Sequence, residues 1–312
     1  MSNQIIGLVP FSYVATDRFQ MSRDHEDEAA MLKALFDESR IGFRFRLLEM
    51  INARCFREQT DSDFTLIYLV AEKMPAEHRA RLEKIVEGIR GVRIVALPQM
   101  PLADAVRTAF ETAIKPGTDH VTLFRLDDDD ALALDYVATL RRRARQLVRA
   151  GMAKKPTVVS WTRGIYWRID GRKSQLIDIC DRVPLSMGYA IVSPADEIGH
   201  HYLKGHRDAA MFYPCVMDPT RAMYIRSVHG DNDGGQSNLD RGRRLGPKQA
   251  EGLMKRRFGL DAATLLAPPA DLGAQTFSQR LASGRVTGPG EDRPTAVPYR
   301  RSQERSLRHP AG

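Results

Sequence analysis

The stretch "VTLFRLDDDDAL" at residues 121–132 decides how the rest of the chain is interpreted. An apolar, strand-like run ends there in four consecutive aspartates, Asp127 to Asp130. Carboxylates packed this closely raise one another's pKa values, and a bound cation is the usual relief. Aspartate oxygens are hard ligands that suit Mg²⁺ or Mn²⁺. The stretch therefore predicts a cation site at the carboxyl end of a buried strand.

The segments that precede this stretch alternate between strand-like and helix-like patterns. Apolar runs rich in β-branched and aromatic residues predict strands at 4–14, 64–71, 92–98 and 120–126. Segments with apolar positions at helical spacing lie between them, for example at 102–114. This alternation predicts parallel strands covered by helices, a doubly wound α/β layer. Ligands of such sheets bind outside the carboxyl ends of the strands, which is where the aspartates begin.

The pattern changes after about residue 152, where longer and partly antiparallel strands are expected, followed by a helix at 246–260. We expect one domain over 1–267. Its first half, 1–150, would bind the small-molecule donor, and its second half, 151–267, would face the acceptor. Residues 268–312 are rich in Pro, Gly and Arg with few apolar anchors, and we expect a disordered basic tail.

Composition favours a soluble protein of the cytoplasm. Apolar residues make up 43% and charged residues 28% of the chain, and no run approaches the length of a membrane span. The N-terminal apolar run lacks a preceding basic region, so it indicates an opening strand and not a signal peptide. The three cysteines are far apart and form no disulfide framework, which favours a reducing compartment.

The net charge of +8 raises the question of a nucleic-acid partner. The charge is concentrated in the tail and in "RRRARQLVR" at 141–149, which fits the outer face of a helix. The sequence shows no pattern typical of a zinc finger, a DNA-recognition helix or a basic strand with interleaved aromatic residues, so no specific nucleic-acid partner is expected. Attraction to phosphorylated substrates, or peripheral contact with an anionic membrane, fits the charge equally well.

A simpler role for the aspartates is to cap the helix expected to start near Asp135, because anions stabilise helix N-termini. One aspartate suffices for a cap, and four exceed that need. Cation binding is therefore the preferred interpretation.

Two motifs resemble a known group of enzymes. "RLDDDD" at Arg125–Asp130 and "QTDSDF" at Gln59–Phe64 are similar to motifs of the GT-A glycosyltransferases, and most similar to the bacterial family described as putative rhamnosyltransferases. The resemblance covers roughly residues 4–240. It implies a GT-A-like (Rossmann-like) mixed sheet flanked by helices, a nucleotide-sugar donor and a divalent cation, Mn²⁺ or Mg²⁺.

The resemblance also implies a role for each motif position. Asp129 and Asp130 would lie nearest the metal and the diphosphate, and Asp127 would approach the nucleoside or ribose. The exit of the first strand would lie beside the donor base. The implied donor-binding residues are Pro10, Phe11, Ser12, Arg125 and Asp127.

His229 follows an apolar run in "MYIRSVHGDNDGG" at 223–235 and resembles the late histidine that GT-A enzymes bring back to the metal. An imidazole ligand would favour Mn²⁺. The alternative is a loop histidine bonded to a carbonyl oxygen. His206 is the rival ligand.

The general base is the least defined residue. It must be a carboxylate within hydrogen-bond reach of the acceptor hydroxyl. Asp196, in "VSPADEIGHH", follows a strand-like segment and is our candidate base, although the pattern at 193–196 favours a helix cap over a catalytic role. Asp178 and Asp181 are the alternatives.

One aromatic concentration comprises Trp161, Tyr166 and Trp167. Sugar rings stack on such faces, but aromatic residues in strands more often fill the core, and we favour core packing. Arg163, between them, could approach the diphosphate.

The expected function is transfer of a sugar, rhamnose by family analogy, from a nucleotide donor to a hydroxyl of a glycan, lipid or protein. One alternative is a Mg²⁺-dependent phosphoryl-transfer hydrolase with an aspartate nucleophile. Another is a catalytically inactive GT-A-like protein that binds glycans.

Overall fold

A computed structural model describes residues 2–17, 27–169, 174–198, 206–229 and 239–267. The strands are β1 Asn3–Pro10, β2 Thr65–Ala71, β3 Val92–Leu97, β4 His120–Arg125, β5 Ala131–Leu132, β6 Thr157–Trp161, β7 Arg163–Arg168, β8 Gln175–Cys180, β9 Ala190–Pro194, β10 Cys215–Asp218, β11 Tyr224–Val228 and β12 Arg243–Arg244. The α-helices are α1 Glu28–Leu35, α2 Glu38–Leu47, α3 Ala53–Arg57, α4 Ala76–Val86, α5 Leu102–Glu111, α6 Tyr136–Arg149, α7 Ala209–Phe212, α8 Pro247–Phe258 and α9 Ala262–Leu266. A π-helix, Leu48–Asn52, joins α2 to α3, and 3₁₀ turns occur at Met152–Lys154 and His206–Asp208.

The main sheet has seven strands in the order β10-β6-β9-β4-β1-β2-β3. Strands β4, β1, β2 and β3 are parallel, and β9 runs antiparallel to both of its neighbours, β4 and β6. The expected α/β class, a mixed sheet flanked by helices, is confirmed. Three strands of this sheet, β6, β9 and β10, come from the second half of the chain, so the two halves share one sheet.

Side chains of β1 alternate between the two faces of the sheet, as the two-residue period of a strand requires. Ile5 and Val9 pack in the larger core with α2, α3 and α6. Ile6 and Leu8 pack in a separate core under α5. Both faces are therefore covered, which explains why β1 is apolar over residues 5–10.

A second sheet of five strands, in the order β12-β8-β7-β11-β5, covers part of the larger core. Trp161, Tyr166 and Trp167 are each at most 1% exposed there, so the preference for core packing over sugar stacking is confirmed. Strand β5 directly follows the four aspartates and pairs antiparallel with β11. The second sheet thus carries β11 to the acidic end of β4.

Several further features of the chain were also expected from its sequence. The predicted strands and the predicted helix near 246–260 are present. Cys55, Cys180 and Cys215 are free thiols. Among the residues that the structure describes, no helix is both long and apolar enough to span a bilayer. The expected tail, 268–312, lies outside the described residues.

Candidate active site

The four aspartates form a turn, called the acidic turn below, at the carboxyl edge of the parallel strands. The backbone N–H of Asp130 donates to the carbonyl of Asp127 at 3.1 Å and closes the turn. The backbone N–H of Leu126 donates to Leu8 at 3.0 Å, which sets the turn beside the exit of β1. Asp128, Asp129 and Asp130 are each at most 3% exposed. Burying three carboxylates is costly, so the neighbours that stabilise them define the site.

Asn52 fixes the backbone of the acidic turn. Its Nδ2 donates to the carbonyls of both Asp127 and Asp130, each at 3.0 Å. Its Oδ1 accepts a hydrogen bond of 2.9 Å from the Tyr68 hydroxyl. Asn52 is the last residue of the π-helix, and single π-turns within helices are frequent at functional sites. The wider turn of the helix carries the amide to this buried position.

Arg44, on α2, neutralises two of the four carboxylates. Its Nε donates to Oδ2 of Asp128 at 3.1 Å, and its Nη2 forms a second, close contact with Oδ1 of the same residue. Its Nη1 donates to Oδ2 of Asp129 at 2.8 Å. One guanidinium therefore binds Asp128 in a bidentate manner and reaches Asp129 with its remaining nitrogen.

His229 is a second partner of the Asp129 carboxylate. Its Nε2 lies 2.8 Å from Oδ2 of Asp129, and its side chain is fully buried. The ring packs edge-on against Phe43, with centroids 4.9 Å apart. The structure thus brings together two of the three predicted metal ligands, which are a hundred residues apart in sequence.

The third predicted ligand, Asp130, has a different partner. Its Oδ1 accepts a hydrogen bond of 2.9 Å from the backbone N–H of Ser227 on β11. This bond joins the acidic turn to the strand that delivers His229. Asp130 therefore serves as a bridge between the two sheets in this conformation.

The pKa values of the buried aspartates diverge. Burial raises the pKa of Asp128 to about 6, although the Arg44 charge opposes the rise. Burial also opposes ionisation of Asp129, but Arg44 and His229 outweigh it and lower the pKa of Asp129 below its usual value. Burial, then the charges of Asp129 and Asp127, raise the pKa of Asp130 well above its usual value. Asp129 is therefore the buried carboxylate most strongly held in the ionised form.

Asp127 lies at the more exposed end of the acidic turn with several basic residues around it. Its Oδ1 accepts a hydrogen bond of 2.6 Å from Nη2 of Arg125. Arg226, on β11, lies with its Cζ 5.4 Å from the centre of the Tyr166 ring and interacts electrostatically with Asp130 and Asp127. Within the described part of the chain Arg226 forms no ion pair with a carboxylate. It is a half-buried cation that faces the acidic turn.

His206, the rival metal ligand, interacts electrostatically with Asp127. Burial, followed by the positive charge of Arg125, lowers the pKa of His206 to about 4, so the ring is neutral at pH 7. A neutral imidazole near Asp127 could contact a donor or an acceptor. The structure gives the contact with Asp129 to His229 instead.

The described residues supply few protein ligands for a divalent cation. Among the described residues, His, Cys, Asp and Glu form no group of three or more that could hold a metal ion. Asp129 and His229 do supply one ionised oxygen and one nitrogen in direct contact. Mg²⁺ is commonly held by one or two carboxylates together with substrate phosphates and water, so two protein ligands fit a cation that arrives with a diphosphate.

The structure contradicts the choice of Asp196 as the general base. Strand β9 is antiparallel to β4, with His120 paired to Pro194, so residues after Pro194 lie at the amino end of β4. At about 3.3 Å per residue, the length of β4 separates Asp196 from the acidic turn by roughly 20 Å. A base must lie within hydrogen-bond reach of the hydroxyl that it deprotonates, so Asp196 cannot act at this turn.

The alternative bases are both engaged in ion pairs. Asp178 accepts two hydrogen bonds, at 2.9 and 2.7 Å, from Arg163, which also removes Arg163 as a free cation for the diphosphate. Asp181 is buried and accepts from the hydroxyls of Tyr166 at 2.8 Å and Tyr224 at 3.0 Å. Arg241 also contacts the Asp181 carboxylate. Their carboxylates have structural partners.

The exit of β1 lies beside the acidic turn as expected, but the aromatic side chain there points into the core. Phe11 is 0% exposed and its ring centre lies 4.8 Å from that of Phe45, so it cannot contact a donor base. Ser12 has a φ of 49°, in the left-handed region that non-glycine residues rarely adopt. Pro10 and Ser12 adjoin the acidic turn, and their role as donor contacts stays a prediction.

The helix-capping interpretation of the acidic turn is wrong. Helix α6 begins at Tyr136, and its N-cap residue, Asp135, forms no side-chain cap hydrogen bond. Asp135 instead pairs with Arg221 at 3.0 Å and Arg257 at 2.9 Å. The aspartates 127–130 are separated from the helix by β5.

Sequence reasoning missed Arg44 and Asn52. Both occupy the helical segment that packs against the sheet, eight residues apart, in line with the buried Leu48. A polar residue on an otherwise apolar helical stripe is costly unless it has a buried partner, and this was the available signal.

The chain has similarities to known proteins. Residues 4–241 match the sequence model of a family described as putative rhamnosyl transferase. No curated protein matches the sequence. Among solved structures, the chain is similar to TarS 1–349 of S. aureus in complex with UDP-GlcNAc, at 10% identity and a TM-score of 0.43 over 81% of this chain and 64% of that one. The chain thus spans less than two thirds of that TarS chain.

Another similar structure is a putative nucleotide-diphospho-sugar transferase from Desulfovibrio desulfuricans G20, with 12% identity, coverage of 75% of this chain and 83% of that one, and a TM-score of 0.35. A third is 4-diphosphocytidyl-2C-methyl-D-erythritol synthase from Anaerococcus prevotii, with 12% identity, 75% and 92% coverage, and a TM-score of 0.31. All three TM-scores lie below 0.5, so the family match is the finding that identifies the chain.

Proposed function

The chain belongs to the family described as putative rhamnosyl transferase, and from this premise we propose that it moves a sugar from a nucleotide-sugar donor to a hydroxyl of a glycan, lipid or protein acceptor. The family that the sequence motifs suggested is thereby confirmed, and the family match supports the proposal that the chain is a nucleotide-sugar glycosyltransferase. Rhamnose is the proposed sugar because the family description names it. The hydrolase alternative is not favoured, since the family is one of transferases.

The observation that carries the mechanism is the contact of 2.8 Å between Asp129 and His229 inside a buried acidic turn. We propose that these two residues hold Mn²⁺ or Mg²⁺ together with the donor diphosphate. When bound, the cation would neutralise the negative charge that develops on the departing diphosphate. Asn52 keeps the turn rigid, so that Asp129 holds its position without rearrangement.

Two arginines would complement the diphosphate from the other side of the turn. Arg226 forms no ion pair with a carboxylate of the described residues, and its electrostatic interaction with Asp130 and Asp127 places its positive charge beside the proposed diphosphate position. Arg125 is held at Asp127 and would contribute a second positive charge near the ribose or the phosphates. Because both lie on strand residues next to the acidic turn, they would stabilise the leaving group without a large movement.

The setting of the reaction is a further proposal. The three free thiols support a reducing, cytoplasmic location. The net charge of +8 supports peripheral contact with an anionic membrane face, where a lipid-linked acceptor would be found.

A thermal-shift screen of nucleoside diphosphates, each with and without Mn²⁺, tests the proposal. One nucleoside diphosphate should raise the melting temperature, and only when Mn²⁺ is present. Asp129→Asn should abolish this shift. Asp196→Asn changes an equivalent side chain at the far end of β4 and should retain it. A shift that Asp129→Asn leaves intact would show that the cation is not held at the acidic turn.

A further inference from the structure

Arg44 already occupies the carboxylates to which a cation would bind. The guanidinium donates to Asp128 through Nε at 3.1 Å and through Nη2, and to Oδ2 of Asp129 through Nη1 at 2.8 Å. Its side chain is only 14% exposed. Arginine is protonated at every pH relevant to the protein, so this positive charge is permanent.

The same oxygen of Asp129 is the one that contacts His229. Oδ2 of Asp129 lies 2.8 Å from Arg44 Nη1 and 2.8 Å from His229 Nε2. A divalent cation between Asp129 and His229 would sit at about 2.1 Å from that oxygen. A guanidinium and a divalent cation this close to one buried oxygen repel each other, because their repulsion is weakly screened in a buried site.

We propose that Arg44 is a built-in counter-cation that competes with the free divalent ion for Asp129, so that the ion binds tightly only together with the diphosphate. The inference rests on the proposed function. The fork of Nε and Nη2 holds the guanidinium on Asp128, and among the described contacts it is the Nη1 contact with Asp129 that the entering cation would oppose. The incoming diphosphate would supply the negative charge that offsets the two adjacent cations.

This arrangement has a second consequence for the protein without ligands. Three buried carboxylates with no counter-charge would repel one another and favour an open turn. Arg44 offsets part of that repulsion, at Asp128 and Asp129, so the acidic turn is formed before the donor arrives. The site is preorganised at the expense of affinity for the free ion.

The test is the affinity of the full-length protein for Mn²⁺ alone, measured from the electron paramagnetic resonance signal of free Mn²⁺. Arg44→Gln should bind Mn²⁺ at least tenfold more tightly than wild type, because the competing charge is gone. Arg79→Gln removes an equal charge from the exposed ion pair with Glu83 on α4, and its affinity should equal that of wild type. Adding the nucleoside diphosphate should raise the Mn²⁺ affinity of wild type far more than that of Arg44→Gln.

Each remaining outcome overturns the inference in a recognisable way. If wild type binds Mn²⁺ with the nucleoside diphosphate but folded Arg44→Gln binds the free ion no more tightly, the competition is wrong and the proposed function stands. If no protein binds Mn²⁺ under either condition, the cation role and the inference both fail. Should Arg44→Gln not fold, Arg44→Lys is the variant to measure, because an ammonium group cannot span both carboxylates. An affinity of Arg44→Lys for free Mn²⁺ equal to that of wild type would refute competition.

Discussion

Both ends of β4 carry aspartates, but those at the carboxyl end are mostly buried and the one at the amino end is exposed. At the carboxyl end, the acidic turn buries three carboxylates against Arg44, His229 and backbone N–H groups. At the amino end, Asp119 lies at the surface and accepts a hydrogen bond of 2.6 Å from the backbone of Ser2. The difference is burial, and burial is what makes a carboxylate costly enough to require a dedicated partner.

The amino end also has a cavity of about 740 Å³, lined in part by Lys115, Asp119 and Asp196. Parallel strands, however, direct ligands to their carboxyl ends, where the backbone and the buried charges converge. The acidic turn has the arranged charges and the amino end has mainly space, so we assign the chemistry to the acidic turn.

The largest expected effect comes from the amide that fixes the acidic turn. Asn52→Ala removes three hydrogen bonds and leaves two turn carbonyls and the Tyr68 hydroxyl without their partner. We expect a loss of about 2–4 kcal/mol in the free energy of unfolding. Transfer should fall roughly 100-fold, because the carboxylates lose their fixed positions. Denaturant unfolding and a transfer assay would measure the two effects.

Gln4 provides the matched control at the amino end. It also bridges two backbone groups, donating to Ala113 at 2.8 Å and accepting from Lys115 at 3.0 Å. Gln4→Ala should lower stability by about 1–2 kcal/mol and leave transfer close to wild type. Equal losses of transfer in both variants would mean that the two ends do not differ as we describe.

An intermediate effect is expected from the arginines of the two ends. Arg226→Gln removes the half-buried cation that faces the acidic turn and should weaken nucleoside-diphosphate affinity roughly 10- to 100-fold. Arg93→Gln removes an arginine near the amino end that donates to the Thr112 carbonyl at 3.0 Å, and the affinity should not change. Isothermal titration calorimetry would decide; unchanged affinity in Arg226→Gln would remove this residue from the diphosphate site.

Much of this comparison was open to sequence reasoning. The strands were predictable because buried parallel strands are apolar runs, as residues 5–10 of β1 and 66–71 of β2 are. The placement of the aspartates after β4 then fixed which edge would carry the charge. His229 was found through the resemblance of its surroundings to a known group, not through its spacing.

The sequence-based predictions failed where the position of a side chain depended on strand direction or on tertiary packing. Asp196 follows a strand, but β9 is antiparallel to β4, so its carboxyl end lies at the opposite edge. Direction depends on pairing, which the sequence pattern does not show. Arg44 meets Asp128 across 84 residues, and only the packing of α2 against the sheet brings them together. Phe11 was assigned to the donor because the chain position was right, but its side chain points into the core.

The smallest effect expected is on the pH dependence of stability. Asp128 has a folded-state pKa of about 6 against an unfolded value of 3.8, so the folded protein binds this proton more tightly. Its contribution is therefore full below pH 4 and is lost as the pH rises through 6, with a slope of at most about 1.4 kcal/mol per pH unit. Asp128→Asn should flatten the curve of unfolding free energy between pH 4 and 6.

The pKa of Asp119 is lowered by its bonds to Ser2, so its contribution is lost only below pH 4, and Asp119→Asn should leave that interval unchanged. Flattening in both variants, or in neither, would show that burial does not distinguish the two ends of β4.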